Sequence, residues 1–312
     1  MTLPLVIDTD PGIDDSLALI LAARSRAARL LAVSTSYGNA TLETTTRNAR
    51  LVLGRAGAAA PVFAGADRPL VRTLITAKET HGGDGLGDHR PPPAERVTPT
   101  STAILDALRA AGGPVTLVTL GPLTNLALAL RNDPAFLRSR VTRHVAMGGN
   151  IAAAGNSGGL AEFNVWCDPE AAAEVFAARL GTEMVGLDVT RRLVVPAAAV
   201  HKLASHPDED ARWLGALLGF YVRFHEEYEG LPGAVINDPL AVALALEPTW
   251  GSADTLPLTV SLAEKTGRGE TLVGTAEDAP VRVYRDFEVG AVHDLLLEYI
   301  FGRWLTKADF QP

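Results

Sequence analysis

The stretch that decides the fold is Leu3–Asp15, which reads LPLVIDTDPGIDD. Its apolar first half predicts a buried strand, and an apolar helical pattern begins at its end. Four carboxylates lie between them: Asp8, Asp10, Asp14 and Asp15. Unpaired charges at the end of a buried strand are costly, whereas calcium and magnesium bind carboxylate and carbonyl oxygens. The stretch therefore predicts a strand–loop–helix unit that carries a cation site.

Outward from this unit, strand and helix patterns alternate along most of the chain. The predicted strands are Leu3–Ile7, Leu30–Thr35, Pro61–Phe63, Val115–Leu120, Val141–Met147, Glu183–Leu187, Leu256–Leu262 and Val281–Tyr284. The predicted helices are Asp14–Arg24, Leu42–Gly54, Ser101–Ala111, Gly121–Arg131, Pro169–Leu180, Pro196–Ala204, Glu209–Glu229, Asp238–Leu246 and Val289–Leu305. Continuous apolar strands alternating with helices predict a mostly parallel, Rossmann-like α/β sheet with helices on both faces. We expect one domain over residues 1–312, with a more helical segment at about 196–246.

Composition narrows the possible classes of protein. The 312 residues carry a net charge of -8 and no block rich in Lys and Arg, which argues against a nucleic-acid or anionic-membrane surface. No apolar stretch is long enough to span a membrane, and the N-terminus does not resemble a signal peptide. The single cysteine, Cys167, excludes an intramolecular disulfide and is expected to be a buried small hydrophobe. We expect a soluble cytoplasmic protein.

Polar motifs recur where predicted strands end. Ligands of open α/β sheets bind outside the carboxyl ends of the strands. The motifs at these ends are the aspartate cluster, Asn39, Gly121–Asn125 and Gly148–Asn164, and a fifth motif, Asn237-Asp238-Pro239, opens a late helix. Their common placement predicts a single site at this edge of the sheet.

The stretch Asp8–Asp15 resembles the N-terminal signature of the inosine–uridine-preferring nucleoside hydrolase family. Further matches follow in family order: Tyr37-Gly38-Asn39, His81–Gly87, Gly121–Asn125, Met147-Gly148-Gly149, Ala161–Asn164, Asp168-Pro169-Glu170 and Asp238-Pro239. The resemblance therefore covers nearly the whole chain. It implies the nucleoside hydrolase fold in a homodimer or homotetramer. It also implies hydrolysis of the N-glycosidic bond of ribonucleosides with a tightly held calcium ion.

The same resemblance implies a role for each aspartate of the site. The implied calcium ligands are Asp10, Asp15, Asp238 and the main-chain carbonyl of Leu120. Asp10 would also take a proton from the calcium-bound water, and Asp14 would bind the ribose 2′-hydroxyl. Asp8 is left as a structural residue of the loop.

Six residues are implied around the rest of the sugar: Asn164 and Asp238 at the 2′ and 3′ hydroxyls, Asn156 and Glu162 at the 5′-hydroxyl, Asn39 as a support, and Met147 beside the ring. Departure of the base generates an oxocarbenium-like ribosyl cation, which nearby carboxylates stabilise. A site built from buried polar groups rejects a sugar that lacks a partner hydroxyl. We therefore expect ribosides to be preferred to 2′-deoxyribosides.

The chain departs from the family at Asn237. Many members carry a histidine just before the aspartate, where it protonates the departing base, and an amide is not a general acid near neutral pH. His81 is one candidate replacement, and the alternative is a loop histidine that only packs or hydrogen-bonds. His225 and Tyr228 are further candidates, with ordinary helix-surface positions as their alternative. Trp166, on a possible strand, is expected to pack in the core.

Two alternative functions stay open at this stage. The protein could be a calcium-loaded ribonucleoside-binding protein with weak or no turnover, because Asn237 removes the usual acid. The run Asp8-Thr9-Asp10 also resembles the Asp-x-Asp of haloacid-dehalogenase-like phosphatases, in which the first aspartate attacks phosphorus. Nothing downstream supplies the lysine and paired acids that such a phosphatase needs.

Overall fold

A computed structural model describes residues 2–310 of the chain. Its strands are β1 Leu3–Thr9, β2 Ala28–Thr35, β3 Val62–Ala64, β4 Val115–Thr119, β5 Val141–Met147, β6 Thr182–Val185, β7 Val194–Val195, β8 Ala234–Val235, β9 Gly251–Val260, β10 Thr271–Val273 and β11 Pro280–Phe287. Nine of them form one sheet in the order β10-β9-β11-β6-β5-β4-β1-β2-β3. Within it, β9 runs antiparallel to both of its neighbours, and the other pairs are parallel.

Helices connect the strands and cover the sheet. They are α1 Ile13–Arg24, α2 Leu42–Ala56, α3 Lys78–His81, α4 Ala103–Ala111, α5 Thr124–Asn132, α6 Pro134–Arg140, α7 Phe163–Cys167, α8 Pro169–Ala177, α9 Leu187–Thr190, α10 Ala197–Ala204, α11 Glu209–Phe224, α12 Asp238–Leu246 and α13 Val289–Leu296. The predicted fold class, an α/β fold with a large, mostly parallel mixed sheet, is confirmed. Helices α10, α11 and α12 lie in the segment predicted to be more helical; that all 312 residues form one domain stays a prediction.

Successive side chains of β1 pack in two different cores, which shows that both faces of the sheet are covered. Leu5 and Ile7 pack in one apolar core with side chains of α1, α2, α11 and α12. Val6, between them, packs in a second core with side chains of α4, α5 and α8. Successive residues of a strand point to opposite faces, so the continuous apolar run of β1 is explained by burial on both sides.

Helices α1 and α12 bring the acidic motifs together. They pack against each other, and residues 13–22 of α1 and 238–245 of α12 are buried. Helices that are apolar all round lie in the core. Each begins with acids in its first turn, Asp14 and Asp15 in α1 and Asp238 in α12, where the helix dipole favours a negative charge.

The predicted start of α5 and the predicted strand at Trp166 were wrong. Helix α5 begins at Thr124 rather than at Gly121, because Gly121 lies against the Asp10 carboxyl and the chain turns there first. Trp166 lies in helix α7 rather than in a strand, because Glu162 caps that helix by accepting hydrogen bonds from two backbone N–H groups.

The predicted helix Glu209–Glu229 changes character before its end. It is α-helical to Phe224 and continues as a π-helical turn, His225–Glu229. Cys167 is buried, as predicted. No helix within residues 2–310 combines the length and the apolar character needed to cross a membrane.

Asn125 joins three elements behind the site. Its Nδ2 donates to Asp8 Oδ1 at 2.8 Å and to the Thr35 carbonyl at 3.0 Å. Its Oδ1 accepts from the Ala66 backbone N–H at 2.8 Å. The side chain is 3% exposed, so it satisfies polar groups that water does not reach.

Asn125→Ala is expected to lower the free energy of unfolding by about 2 to 4 kcal/mol, because it leaves the buried Ala66 N–H without an acceptor and removes one of the two donors to Asp8 Oδ1 and to the Thr35 carbonyl. Chemical denaturation of the metal-free protein measures this. The matched control is Asn132→Ala at the exposed end of α5, expected to change the value by less than about 0.5 kcal/mol. Equal effects of the two variants would contradict the role given to Asn125.

Candidate active site

Three buried carboxylates meet where α1 and α12 begin. Asp14, Asp15 and Asp238 each offer an oxygen atom within 4.8 Å of the others. Burial and the charges of Asp14 and Asp15 raise the pKa of Asp238, which favours its protonated form when no cation is present. This group differs from the implied calcium ligands in containing Asp14 rather than Asp10. Its all-oxygen donors suit a hard cation.

Asp10 lies next to this group with one anchored and one unpartnered oxygen. Its Oδ2 accepts from the Asn39 backbone N–H at 2.7 Å, whereas its buried Oδ1 has no hydrogen-bond partner. A Cβ atom at Gly38 or at Gly121 would collide with the Asp10 carboxyl. Only glycine at both positions leaves room for it, so the two family motifs that contain these glycines pack directly against Asp10.

Asp15 is held by three donors. Thr9 Oγ1 donates to its Oδ1 at 2.5 Å, and the Gly12 backbone N–H and Asn39 Nδ2 donate to its Oδ2 at 2.9 and 2.8 Å. Asn39 therefore binds both Asp10 and Asp15, and it fixes their separation.

Burial sets the protonation of these acids. It raises the pKa of Asp15 to about 6, with the Asp14 charge as the next cause. It also raises the pKa of Asp10 and of Asp238 well above the usual range, reinforced by Asp15 for Asp10 and by Asp14 for Asp238. Asp8, held by Ser34 and Asn125, has its pKa raised to about 7 by burial. Without a cation, the cluster thus retains protons at neutral pH.

A second polar wall follows strands β4 and β5. Asn164 Nδ2 donates to the Leu120 carbonyl at 2.7 Å and lies 3.5 Å from Met147 Sδ. Glu162 accepts from the backbone N–H groups of Gly149, Asn164 and Val165, and burial still raises its pKa to about 7. Asn156 is exposed at the rim, where its Oδ1 accepts from the Phe163 N–H.

The remaining side of the cavity is an aromatic wall formed by His81, Tyr221, Phe224 and His225. The ring centroids of His81 and Tyr221 are 5.2 Å apart, and those of Tyr221 and His225 are 4.4 Å apart with edge-to-face geometry. Tyr221 and His225 are four residues apart, so they share one face of α11 and its π-helical continuation.

Backbone partners fix which ring nitrogens of the two histidines carry hydrogen. The Ile13 N–H donates to His81 Nδ1 at 3.1 Å, so the ring is neutral with its hydrogen on Nε2. Burial lowers the pKa of His81 to about 4. His225 Nδ1 lies 2.9 Å from the Tyr221 carbonyl oxygen. Because a carbonyl oxygen can only accept a hydrogen bond, Nδ1 carries the hydrogen. Nε2 is therefore the ring atom that gains or loses a proton.

Most of the predicted site residues line one cavity. They are Asp14, Asn39, His81, Leu120, Met147, Asn156, Glu162, Asn164, His225, Asn237 and Asp238. Asp10 and Asp15 lie behind this lining and are 0% exposed. Tyr228 is 69% exposed and borders a neighbouring groove, where it stacks on Phe224. Trp166 lies outside the lining, beneath the Arg268 guanidinium.

Among the lining residues that sequence reasoning missed are Arg191, Tyr221 and Phe224. The i, i+4 spacing of Tyr221 and His225 on a predicted helix would have identified Tyr221. Nothing comparable marked Arg191, which follows the short helix α9.

Comparison with known proteins gives a consistent result. Residues 5–294 match the family described as inosine-uridine preferring nucleoside hydrolase. A pyrimidine-specific ribonucleoside hydrolase, RihA, of Shewanella woodyi is 37% identical over 307 residues, which cover 96% of this chain and 98% of that protein. An inosine-uridine preferring nucleoside hydrolase of Crithidia fasciculata is 34% identical, with coverages of 91% and 93%.

Solved structures agree with the sequences. A purine-preferring ribonucleoside hydrolase from Gardnerella vaginalis superposes with a TM-score of 0.86 at 27% identity, over 96% of this chain and 98% of that one. The similarity therefore extends over the whole sheet and over the site at its edge.

The raised pKa of Asp10 gives a pH dependence with a definite sign. The pKa of Asp10 is higher in the folded than in the unfolded protein, so its contribution to stability is present below pH ~3.9 and is lost as the pH rises through the folded pKa. Asparagine does not titrate. In the presence of a chelator, the free energy of unfolding of Asp10→Asn relative to the wild type is expected to rise from pH 5 to pH 8.

The expected rise is at least about 1.4 kcal/mol, which corresponds to one pKa unit. Denaturant titrations at the two pH values measure it, with Asn132→Ala at the exposed end of α5 as the control, because that substitution removes no carboxylate. A difference that stays constant or falls with pH would contradict the assignment.

Proposed function

The chain belongs to the inosine–uridine preferring nucleoside hydrolase family, and from this premise we propose that it releases ribose from ribonucleosides with a calcium ion and a water nucleophile. Its hydrolase activity on N-glycosyl bonds follows from the family. The observation that carries the proposed mechanism is the group of Asp14, Asp15 and Asp238 beside Asp10, at the floor of a cavity lined by the family's motifs. The predicted homodimer or homotetramer and the cytoplasmic location stay predictions.

The residues fit a calcium ion. Four carboxylates are buried beside one another, and burial and mutual repulsion disfavour their charged forms. The unpartnered Oδ1 of Asp10 is a free acceptor at the same place. Asp10, Asp15, Asp238 and the Leu120 carbonyl would hold the ion with oxygen donors alone, as calcium prefers. When bound, calcium would lower the pKa of a coordinated water and orient it.

Asp10 is suited to take a proton from the attacking water. Its Oδ2 is anchored by Asn39, whereas its Oδ1 has no partner in the protein, and a buried carboxylate is a stronger base than an exposed one. As the water oxygen bonds to the anomeric carbon, the glycosidic C–N bond breaks and its electron pair leaves with the base. The nearby carboxylates stabilise the oxocarbenium-like sugar.

The polar walls suit the hydroxyls of ribose. Asp14, Asp238 and Asn164 line the cavity and would bind the 2′ and 3′ hydroxyls. Glu162 and Asn156 line the same cavity and would bind the 5′-hydroxyl. A sugar that lacks one hydroxyl leaves a buried polar group unpaired, which favours ribosides.

We assign protonation of the leaving base to His225. His81 Nδ1 accepts a hydrogen bond from the Ile13 N–H, and a proton added at Nδ1 would break that bond. His81 therefore remains neutral and can donate only through Nε2–H. His225 can gain a proton at Nε2 and keep its bond to the Tyr221 carbonyl. Burial lowers the pKa of His225, which makes its protonated form a stronger acid. Tyr228 lies outside the cavity lining.

The alternatives have less support. Asp8 is fully buried, is bound by Ser34 and Asn125, and does not line the cavity, so it is not placed as the nucleophile of a phosphatase. A calcium-loaded binding protein without turnover would keep the same sugar site. A histidine on the aromatic wall favours turnover over binding alone.

Incubation with inosine, uridine, cytidine, adenosine and p-nitrophenyl riboside is expected to release reducing sugar. The panel spans both base classes because the names of the relatives do. A calcium chelator is expected to lower the rate about 100-fold or more, since several kcal/mol of transition-state stabilisation are lost. Added calcium should restore the rate. Full activity in the chelator would contradict the metal role, and binding without release of ribose would favour the binding protein.

His225→Gln is expected to lower kcat/KM for the natural nucleosides about 100-fold or more, the usual contribution of a general acid. The fall should be much smaller for p-nitrophenyl riboside, whose leaving group departs without a proton. Parallel kinetics of His81→Gln and of His201→Gln, an exposed residue of α10, separate a specific effect from a general one. An equal fall on all substrates would show that His225 does not act as the acid.

A further inference from the structure

Asn237 makes an unusual double contact with Asp14. The Asn237 backbone N–H and its side-chain Nδ2 both donate to the same oxygen, Oδ2 of Asp14, at 3.2 Å each. Hydrogen bonds to a charged acceptor contribute more than those between neutral groups. The residue immediately before α12 thus holds a residue in the first turn of α1.

The contact with Asp14 decides how the amide is oriented. With Nδ2 facing Asp14, Asn237 Oδ1 is buried and has no hydrogen-bond partner. An unsatisfied buried acceptor is unfavourable. The reverse orientation would place Oδ1 against the Asp14 carboxylate, with lone pairs facing lone pairs. The observed orientation leaves Asn237 Oδ1 without a partner, but it allows Nδ2 to donate to Asp14.

Asp14 depends on this contact more than the neighbouring acids depend on theirs. Asp15 is held by three donors and Asp10 by the Asn39 N–H. Within residues 2–310, the only hydrogen bonds to the Asp14 side chain come from Asn237. Without Nδ2, the carboxylate keeps a single backbone donor and is free to rotate in the cavity that it lines.

From these contacts we propose that Asn237 is a positioning residue, which holds the Asp14 carboxylate so that its other oxygen meets the 2′-hydroxyl of ribose. The inference rests on the proposed function and goes beyond it, because it gives position 237 a role on the sugar side of the site. Discrimination between ribosides and 2′-deoxyribosides then depends on an amide that touches neither the reacting atoms nor the hydroxyl itself.

The test compares uridine with 2′-deoxyuridine, or inosine with 2′-deoxyinosine, as the ratio of their kcat/KM values. Asn237→Ala removes the Nδ2 donor and is expected to lower this ratio about 10-fold or more, the usual effect of losing a hydrogen bond to a charged group. Asn237→Asp has nearly the same shape but repels Asp14, and it should lower the ratio further. Asn132→Ala, on the exposed end of α5, should leave the ratio unchanged.

An Asp14→Ala background shows whether the effect passes through Asp14. There, Asn237→Ala should change the ratio no further, as expected for residues that act as one unit. A fall of equal size for both sugars, or an unchanged ratio, would overturn the positioning role. If only the natural bases lose activity and p-nitrophenyl riboside does not, Asn237 acts on the leaving base and the inference is wrong.

A binding measurement separates this inference from the proposed function. Calorimetric titration with D-ribose and with 2-deoxy-D-ribose needs no turnover. A preference for ribose that shrinks in Asn237→Ala supports the positioning role even if no nucleoside is hydrolysed. A preference that is equal in the wild type and in Asn237→Ala overturns it even if hydrolysis proceeds as proposed.

Discussion

Four aspartates are buried close together in the protein interior, which screens their like charges poorly, and the arrangement of the site follows from this repulsion. Asp10, Asp14, Asp15 and Asp238 are all at most 4% exposed. At an effective dielectric constant near 20, two unit charges 4 Å apart repel by about 4 kcal/mol. Neighbouring donors, helix dipoles and retained protons each relieve part of this repulsion. A bound cation would relieve the remainder, which links the stability of the site to its chemistry.

The fold meets this constraint with its two most buried helices. Helices α1 and α12 pack side by side in the core, so the carboxylates of their first turns lie close together. The backbone N–H groups at the start of a helix have no partner within the helix and can donate to these carboxylates. Asn39, after strand β2, then donates to two of these carboxylates, Asp10 and Asp15. Asn125 donates to the neighbouring Asp8. Neutral donors thus hold the acids in place.

Much of this arrangement could be predicted from the sequence, for a physical reason. Buried parallel strands and the helices beside them leave continuous apolar runs, and turn chemistry marks where they end, so strand β5 and helix α12 were predicted with their observed bounds. Motifs at strand ends predicted one site, because parallel strands end at a common edge. The donors to a given carboxylate could not be predicted, since the contact from Asn237 to Asp14 spans 223 positions.

The burial of His225 shows most clearly why part of the aromatic wall was missed. Sequence reasoning took His225 for an ordinary helix-surface residue, whereas the structure buries it to 3% exposure beside Tyr221. Its backbone N–H still bonds to the Tyr221 carbonyl, so the i, i+4 spacing places both rings on one face, and the π-helical turn begins only with His225. His225 thus lines the cavity from an element separate from α12. Under the proposed assignment of the acid to His225, position 237 need not supply the proton, and an amide that binds Asp14 is compatible with a complete site.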